Sequence, residues 1–334
     1  MRLRFSFVLA GIALGAVSAS AQGLDPRELR EAMRHAVPRA YQGRDTGQEQ
    51  TDRFSGRYRI GRDGRVSVSN ISGDITVTAG SGDEVSIEAV KRARRDRSQL
   101  DQVRVEVDTA PGRVDVRTSY PRFTNNNVSV EYTITVPNGV SLELHSVSGS
   151  VNVTGVRGGV RAETVSGHVT ATDTPKLEAA KSVSGDVSFS GVSTDTDVSI
   201  GSVSGHVRGR GIKAHGLEFS SVSGDVVVSD VMCERLGAKS VSGGIEYSGT
   251  ITKAGRYDMN SHSGSIRLTL TNPPGFEVTA NTFSGSIRSD FPLTLGGDGG
   301  RRGISGRSIR AAFGDGSATL TLLTFSGNIV IEKR

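Results

Sequence analysis

The chain of 334 residues has no tryptophan, one cysteine and few aromatics, 5% in all. A lone cysteine, Cys233, excludes an internal disulfide, so stability has to come from packing and backbone pairing. Apolar residues amount to 35%, thin for a broad globular core and sufficient for an elongated body with a narrow one. Long apolar runs are scarce too. The one run of note, Phe5 to Val17, follows Arg2 and Arg4 and precedes Ala19-Ser20-Ala21. It reads as a cleavable export leader over residues 1–21, too short to cross a bilayer comfortably. Gln22 follows that site, so no cysteine stands there to take lipid. The expected location is therefore outside the cytoplasm: periplasmic, cell-surface or secreted. The formal charge is +5, of which two belong to Arg2 and Arg4, and the remaining balance of about +3 is too mild to imply nucleic acid.

Glycine is plentiful, with 43 residues, and much of it sits in one phrase. Ser-Val-Ser-Gly or a close variant ends at Gly73, Gly149, Gly167, Gly185, Gly205, Gly224, Gly243, Gly264, Gly285 and Gly327. From Gly149 to Gly285 the intervals are 18, 18, 20, 19, 19, 21 and 21 residues. The last interval is 42, with Ile304-Ser305-Gly306 at its midpoint. A fixed period of this size means one structural unit stacked on copies of itself.

The unit is a pair of strands. Two residues after each glycine stands Val or Ile, and four after it the slot is mostly apolar again, as in Val151/Val153, Val226/Val228 and Ile329/Ile331. Seven and five residues before the glycine come further apolar pairs, such as Leu142/Leu144, Val198/Ile200 and Leu217/Phe219. Period-two alternation of this kind marks strands with one buried face. The copy at Gly185 is one residue off (Leu177/Ala179), which predicts a local bulge or turn. Taking the valine of the phrase as inward makes the inward set skip three residues, so the chain must turn a corner inside the phrase. Glycine suits such a corner, since it accepts unusual backbone angles and leaves room for close packing. On this reading the serines face outward, one above another at ~4.8 Å, with hydroxyls able to bond along the stack. The predicted fold is all-β: a single-stranded parallel β-helix, or β-solenoid, with ~18–21-residue rungs.

Three regions depart from the pattern. Residues 22–50 hold a short amphipathic helix, started by Asp25-Pro26-Arg27-Glu28, striped by Leu29, Ala32, Met33, Ala36 and Val37, and stopped by Pro38. It is either a helix on a polar linker or a cover for the first rung. Residues 51–140 carry weaker punctuation and read as irregular rungs with insertions, against regular rungs over 141–334. The basic run Lys91 to Arg97 falls in such an insertion as a solvated loop, with no interleaved aromatics to suggest nucleic acid. Gly296 to Gly303 lacks the Gly-Lys-Ser/Thr ending of a phosphate loop and reads as a linker. The closing Glu332-Lys333-Arg334 would blunt an exposed final edge.

The leader, the tandem Ser-Val-Ser-Gly-x-Val rungs and the closing Thr324-Phe325-Ser326-Gly327-Asn328-Ile329 together resemble a bacterial family of exported β-strand-repeat proteins named as adhesins. The resemblance spans roughly residues 51–334. It implies a single-chain, right-handed β-helix and brings no catalytic residues.

Catalytic and metal motifs are sparse. The string nearest a nucleophile elbow, Gly201 to Gly205, has Val203 at its centre. There is no His-Glu-x-x-His and no cysteine pair, so the usual zinc patterns are missing. One constellation remains: the residue after each glycine gives His168, Asp186, His206 and Asp225 on successive rungs. Such a ladder could bind a divalent cation or move protons. Parallel side chains do not converge, however, and a surface ladder of opposite-charge neighbours is the preferred reading. His262, in a slot otherwise filled by apolar residues, is expected to be a satisfied internal histidine. No cofactor is implied. Two function classes stay open: a non-enzymatic envelope scaffold or adhesin-like module with an unidentified surface ligand, and a β-helix polysaccharide lyase or hydrolase. The scattered acids and absent Trp favour the first, and an envelope-surface sensor is a third possibility.

Overall fold

The computed structural model describes residues 49–94, 97–121, 127–295 and 307–334. The leader, the helix expected within 22–50, the Gly296–Gly303 stretch and Ile304-Ser305-Gly306 lie outside them. Among the described residues, 24 strands join one all-β sheet, accompanied by a short helix, Ser98–Gln102, that buries Leu100.

The regular region is built as the periodicity dictates. Each rung has a leading strand before its corner glycine and a trailing strand after it, such as Ser141–Ser148 and Val151–Thr154 around Gly149. Leading strands pair in parallel with leading strands: Ser182 lies against Ser202, Ser202 against Ser221, Ser221 against Ser240 and Ser240 against Ser261. Trailing strands do the same, with Val151, Val169, Val187, Val207, Val226 and Ile245 in one row. Those six are 0–1% exposed, so the core is a column of β-branched side chains running down the stack. The irregularity at Leu177/Ala179 is a register shift: Val160 faces Leu177 while Arg161 faces Ala179. The extra residue lets Ala180 regain the regular inward slot, where it is fully buried.

Within the phrase, the side chains point opposite to expectation. The first Ser or Thr is inward, with Ser146, Thr164, Ser182, Ser202, Ser221 and Ser240 all buried, whereas Val147, Val165, Val183, Val203, Val222 and Val241 are 44–48% exposed. Strand alternation simply continues through the phrase, seven, five and three residues before the glycine. The corner comes one step later, at the second serine and the glycine. His262 shares the valine slot and is likewise exposed, correcting its assignment as internal.

The two ends depart from chain order. At the C-terminal end, Ile329–Lys333 lies between Ile266–Leu270 and Ile287–Ser289. The Gly327 rung is thus inserted between the Gly264 and Gly285 rungs, so Glu332-Lys333-Arg334 do not guard a final edge. Ser308–Gly314 instead runs antiparallel along Gly275–Ser284. At the N-terminal end, the Gly73 rung receives the Gly149 rung on one side and an outlying pair of strands on the other, Arg113–Ser119 and Ser129–Pro137. Antiparallel strands Arg104–Ala110, Glu84–Ala93 and Gln50–Arg59 complete this end. Residues 51–140 therefore contribute two parallel rungs and an antiparallel margin. Lys91 and Arg92 belong to a strand, paired with Asp52, Glu49 and Glu131, which replaces the solvated-loop reading for that part of the basic run.

Candidate functional site: an exposed apolar stripe between polar columns

The corner that aims the stripe is held by three columns of contacts. First, the glycines sit directly over one another. A Cβ on Gly167, Gly185, Gly205, Gly224, Gly243 or Gly264 would lie 2.0–2.2 Å from the carbonyl oxygen of the glycine one rung before, closer than any real contact. Gly327 stands in the same way over Gly264, and Gly285 over Gly327. Gly149 meets the Gly73 carbonyl, and Gly73 meets that of Val130. No side chain other than hydrogen fits there.

Second, at most rungs the inward hydroxyl satisfies the glycine carbonyl below it. Thr164 Oγ1 donates to Gly149 O at 2.9 Å, Ser182 Oγ to Gly167 O at 2.8 Å, and Ser202 Oγ to Gly185 O at 2.8 Å. Thr324 and Thr282 repeat the contact at 2.9 Å on Gly264 and Gly327. A buried carbonyl at a corner has no ladder partner, and the hydroxyl supplies one. The phrase therefore needs a small hydroxyl inward, which the apolar pattern alone does not reveal.

Third, the residue after the glycine accepts a backbone N–H from the next rung. Asp186 N donates to His168 Nδ1 at 3.0 Å, His206 N to Asp186 Oδ1 at 2.8 Å, Asp225 N to His206 Nδ1 at 3.1 Å, and Gly244 N to Asp225 Oδ1 at 2.8 Å. His168, Asp186, His206 and Asp225 do form one column, and each presents a lone pair to the stack. The N–H of His206, then Arg208, hold the Asp186 carboxylate below its usual range. Among the described residues no group of three or more His, Cys, Asp or Glu is placed to hold a metal ion.

With the corner fixed, the outward residue of the phrase forms a straight stripe. In spatial order it runs Ile71, Val147, Val165, Val183, Val203, Val222, Val241, His262, Phe325 and Phe283. The last three are rings in a stack: His262 to Phe325 at 5.1 Å and Phe325 to Phe283 at 4.7 Å, with their planes nearly parallel. Phe283 is 65% exposed. Beside the valines, two residues back along each leading strand, a second outward column reads His145, Glu163, Lys181, Gly201, Ser220, Lys239. Between the columns a groove of about 640 Å³ spans six rungs. An exposed apolar stripe of this continuity is the kind of surface that marks an interaction site.

Burial pushes the Cys233 thiol up to about 12, which makes it a packing residue beside Tyr247 and Tyr257. A groove of about 390 Å³ gathers Asp197, Glu218, Arg235, Arg256 and Asp258. There Arg235 Nη2 reaches both oxygens of Asp197 across rungs at 3.0 and 3.1 Å, and Arg256 holds Asp258 within its own strand at 2.9 Å, so these charges are tied to one another. No described helix is long and apolar enough to cross a membrane.

No curated protein matches the chain. Solved structures similar to it include a "putative adhesin" from Bacteroides fragilis (13% identity, 85% of this chain, 97% of that one, TM-score 0.37). Two others come from Parabacteroides distasonis: a "putative lipid binding protein" (14%, 85% and 97%, TM-score 0.39) and a "putative adhesin" (11%, 86% and 98%, TM-score 0.38). Scores this low carry no functional argument. A family model, by contrast, matches residues 64–332, which takes in every rung from Gly73 to Gly327. The chain belongs to the Toastrack DUF4097 family.

Proposed function

We propose that the mature chain is an exported, non-enzymatic binding module of the cell envelope, adhesin-like in type, wound as a right-handed β-helix with rungs of ~18–21 residues. Residues 1–21 are its cleaved leader. The observation that carries this reading is the exposed apolar stripe with its adjoining groove, held rigid by the glycine and hydroxyl columns. A rigid sheet face of this kind presents its contacts already arranged, so little ordering entropy opposes binding. Arginines engage Glu178, Asp197 and Asp258 on the same outer face, which supports a structural role for those three over proton transfer.

The test has two arms. Adsorption of the purified protein to isolated envelopes should fall by about tenfold or more when Val183→Asp, Val203→Asp and Val222→Asp are combined, since each charge must be desolvated on contact. Incubation with a panel of polysaccharides should release no fragments. Turnover of any polysaccharide would replace this reading with the enzymatic one, and adsorption indifferent to the three charges would move the binding face elsewhere.

A further inference from the structure

The groove beside the stripe is uneven along its length. Over two consecutive rungs its outer column holds only Gly201 and Ser220, so no long side chain crosses the floor. Lys239 closes one end of this open stretch, with Ser220 and Asn260 as its column neighbours. Among the described residues it has no ion-pair partner. At the far end Glu163 stands between Lys181 and His145, and the histidine Nδ1 lies 3.7 Å from it. The groove thus has an isolated cation at one end, an acidic group toward the other and a continuous aliphatic wall between. Five rung steps separate Val241 from Val147, or roughly 24 Å at ~4.8 Å per step.

Resting on the reading of this face as the binding face, we propose that the groove takes a single long-chain fatty acid. Its carboxylate pairs with Lys239, and its chain lies along the valines from Val241 toward Val165. The charge order selects the orientation: an anionic head is attracted at Lys239 and repelled at Glu163. The shape selects the class. A file one side chain wide admits an unbranched chain, which buries its methylenes against valine without asking for hydrogen bonds that the wall lacks. Lys181, at the other end of the open stretch, likewise has no ion-pair partner among the described residues, but Glu163 is its column neighbour, so its stem covers the chain while its charge contributes less.

Calorimetric titration of the full mature chain with palmitate, below micelle formation, tests this directly. Saturable one-to-one binding is expected. Octanoate should bind at least ~tenfold more weakly, because affinity grows with each methylene buried. Methyl palmitate should lose about as much by lacking the charge. Lys239→Glu should weaken palmitate by ~tenfold, Lys181→Glu by less, and Val203→Asp with Val222→Asp should abolish binding while circular dichroism stays unchanged. These positions are exposed, so the variants fold, and Lys239→Arg should restore affinity. Absence of palmitate binding, binding indifferent to the two aspartates, or binding to phosphatidylglycerol vesicles without binding of the free acid would each overturn the proposal. If envelopes still adsorb through the stripe in that event, the binding-module reading stands and only the ligand class falls.

Discussion

Between Gly149 and Gly264 the order of rungs in space is their order in the chain, and at both ends it is not. In the middle, each rung offers the next an equivalent parallel edge, and the neighbour in sequence takes it because the connecting loop is shortest. At an end the edge has no successor and must be covered. The C-terminal end solves this by return: the chain leaves the Gly285 rung and comes back to insert the Gly327 rung beneath it. Thr324 then bonds Gly264, and Thr282 bonds Gly327, so the hydroxyl column survives the change of order. The N-terminal end solves it by a different side chain. Asn70 replaces the serine, and its Nδ2 reaches the carbonyls of Ser72, Gly73 and Val130, while its Oδ1 accepts from Thr118. The comparison teaches that the repeat is a local rule for pairing, indifferent to which segment supplies the partner.

The largest effect expected from breaking the comparison is at an interior corner. Gly224→Val forces a Cβ against the Gly205 carbonyl at 2.1 Å and should cost about 3–5 kcal/mol in denaturant or thermal melts. Gly112→Asn, at an end turn with φ of 73° and open space around it, should cost under about 1 kcal/mol. Equal losses would show that the column is not under closer packing than the margins.

Alkali separates the regions next. Burial raises the Cys233 thiol from 9.0 to about 12, and raises Tyr257 in the middle and Tyr120 and Tyr132 at the N-terminal end from 10.0 to about 12. A thiol or phenol with a raised folded pKa stabilises the fold below its unfolded value, and the gain is lost as pH climbs through the folded value. The melting temperature should hold to about pH 9 and then fall steadily toward pH 12. Cys233→Ala should remove only the portion that begins near pH 9. A melting temperature flat to pH 12 would contradict the burial of these groups.

A smaller effect is expected at the N-terminal junction. Asn70→Ser imposes the interior rule on the end and should cost about 1–3 kcal/mol, since the Val130 carbonyl and the Thr118 hydroxyl lose a buried partner. Smallest is the hydroxyl column itself. Ser202→Ala orphans the Gly185 carbonyl and should cost about 1 kcal/mol. Ser240→Ala and Ser146→Ala should be near neutral, because those two hydroxyls have no partner. For Ser146 the reason is visible: Asn70 already occupies the Gly73 carbonyl. Equal effects at Ser202 and Ser240 would break the account of why the phrase carries a hydroxyl.

Much of this was legible in the residues. Val and Ile two and four places after each glycine announce the trailing strand, and the slip at Leu177 announces the shift in register, because a period of two leaves no other way to stay buried. The phrase itself misleads, since a valine between two serines looks like the buried member. Hydrophobicity pointed one way and alternation the other, and alternation wins inside a strand that has not yet turned. With that inversion the stripe, the groove and the place of His262 all escaped notice, although the parity of Leu142, Leu144 and Ser146 held the signal.

Sequence alone determined that this chain stacks and which aliphatic side chains on either side of the phrase line the core, because burial and strand geometry act over a few residues and leave a periodic record. Tertiary structure decided the order of the rungs at both ends and the lining up of ten outward residues into one surface. Those outcomes depend on pairing between segments far apart in the chain, as where Ile75 lies against Val151. Pairing at that range is chosen by which edge stands open, and no local pattern encodes it.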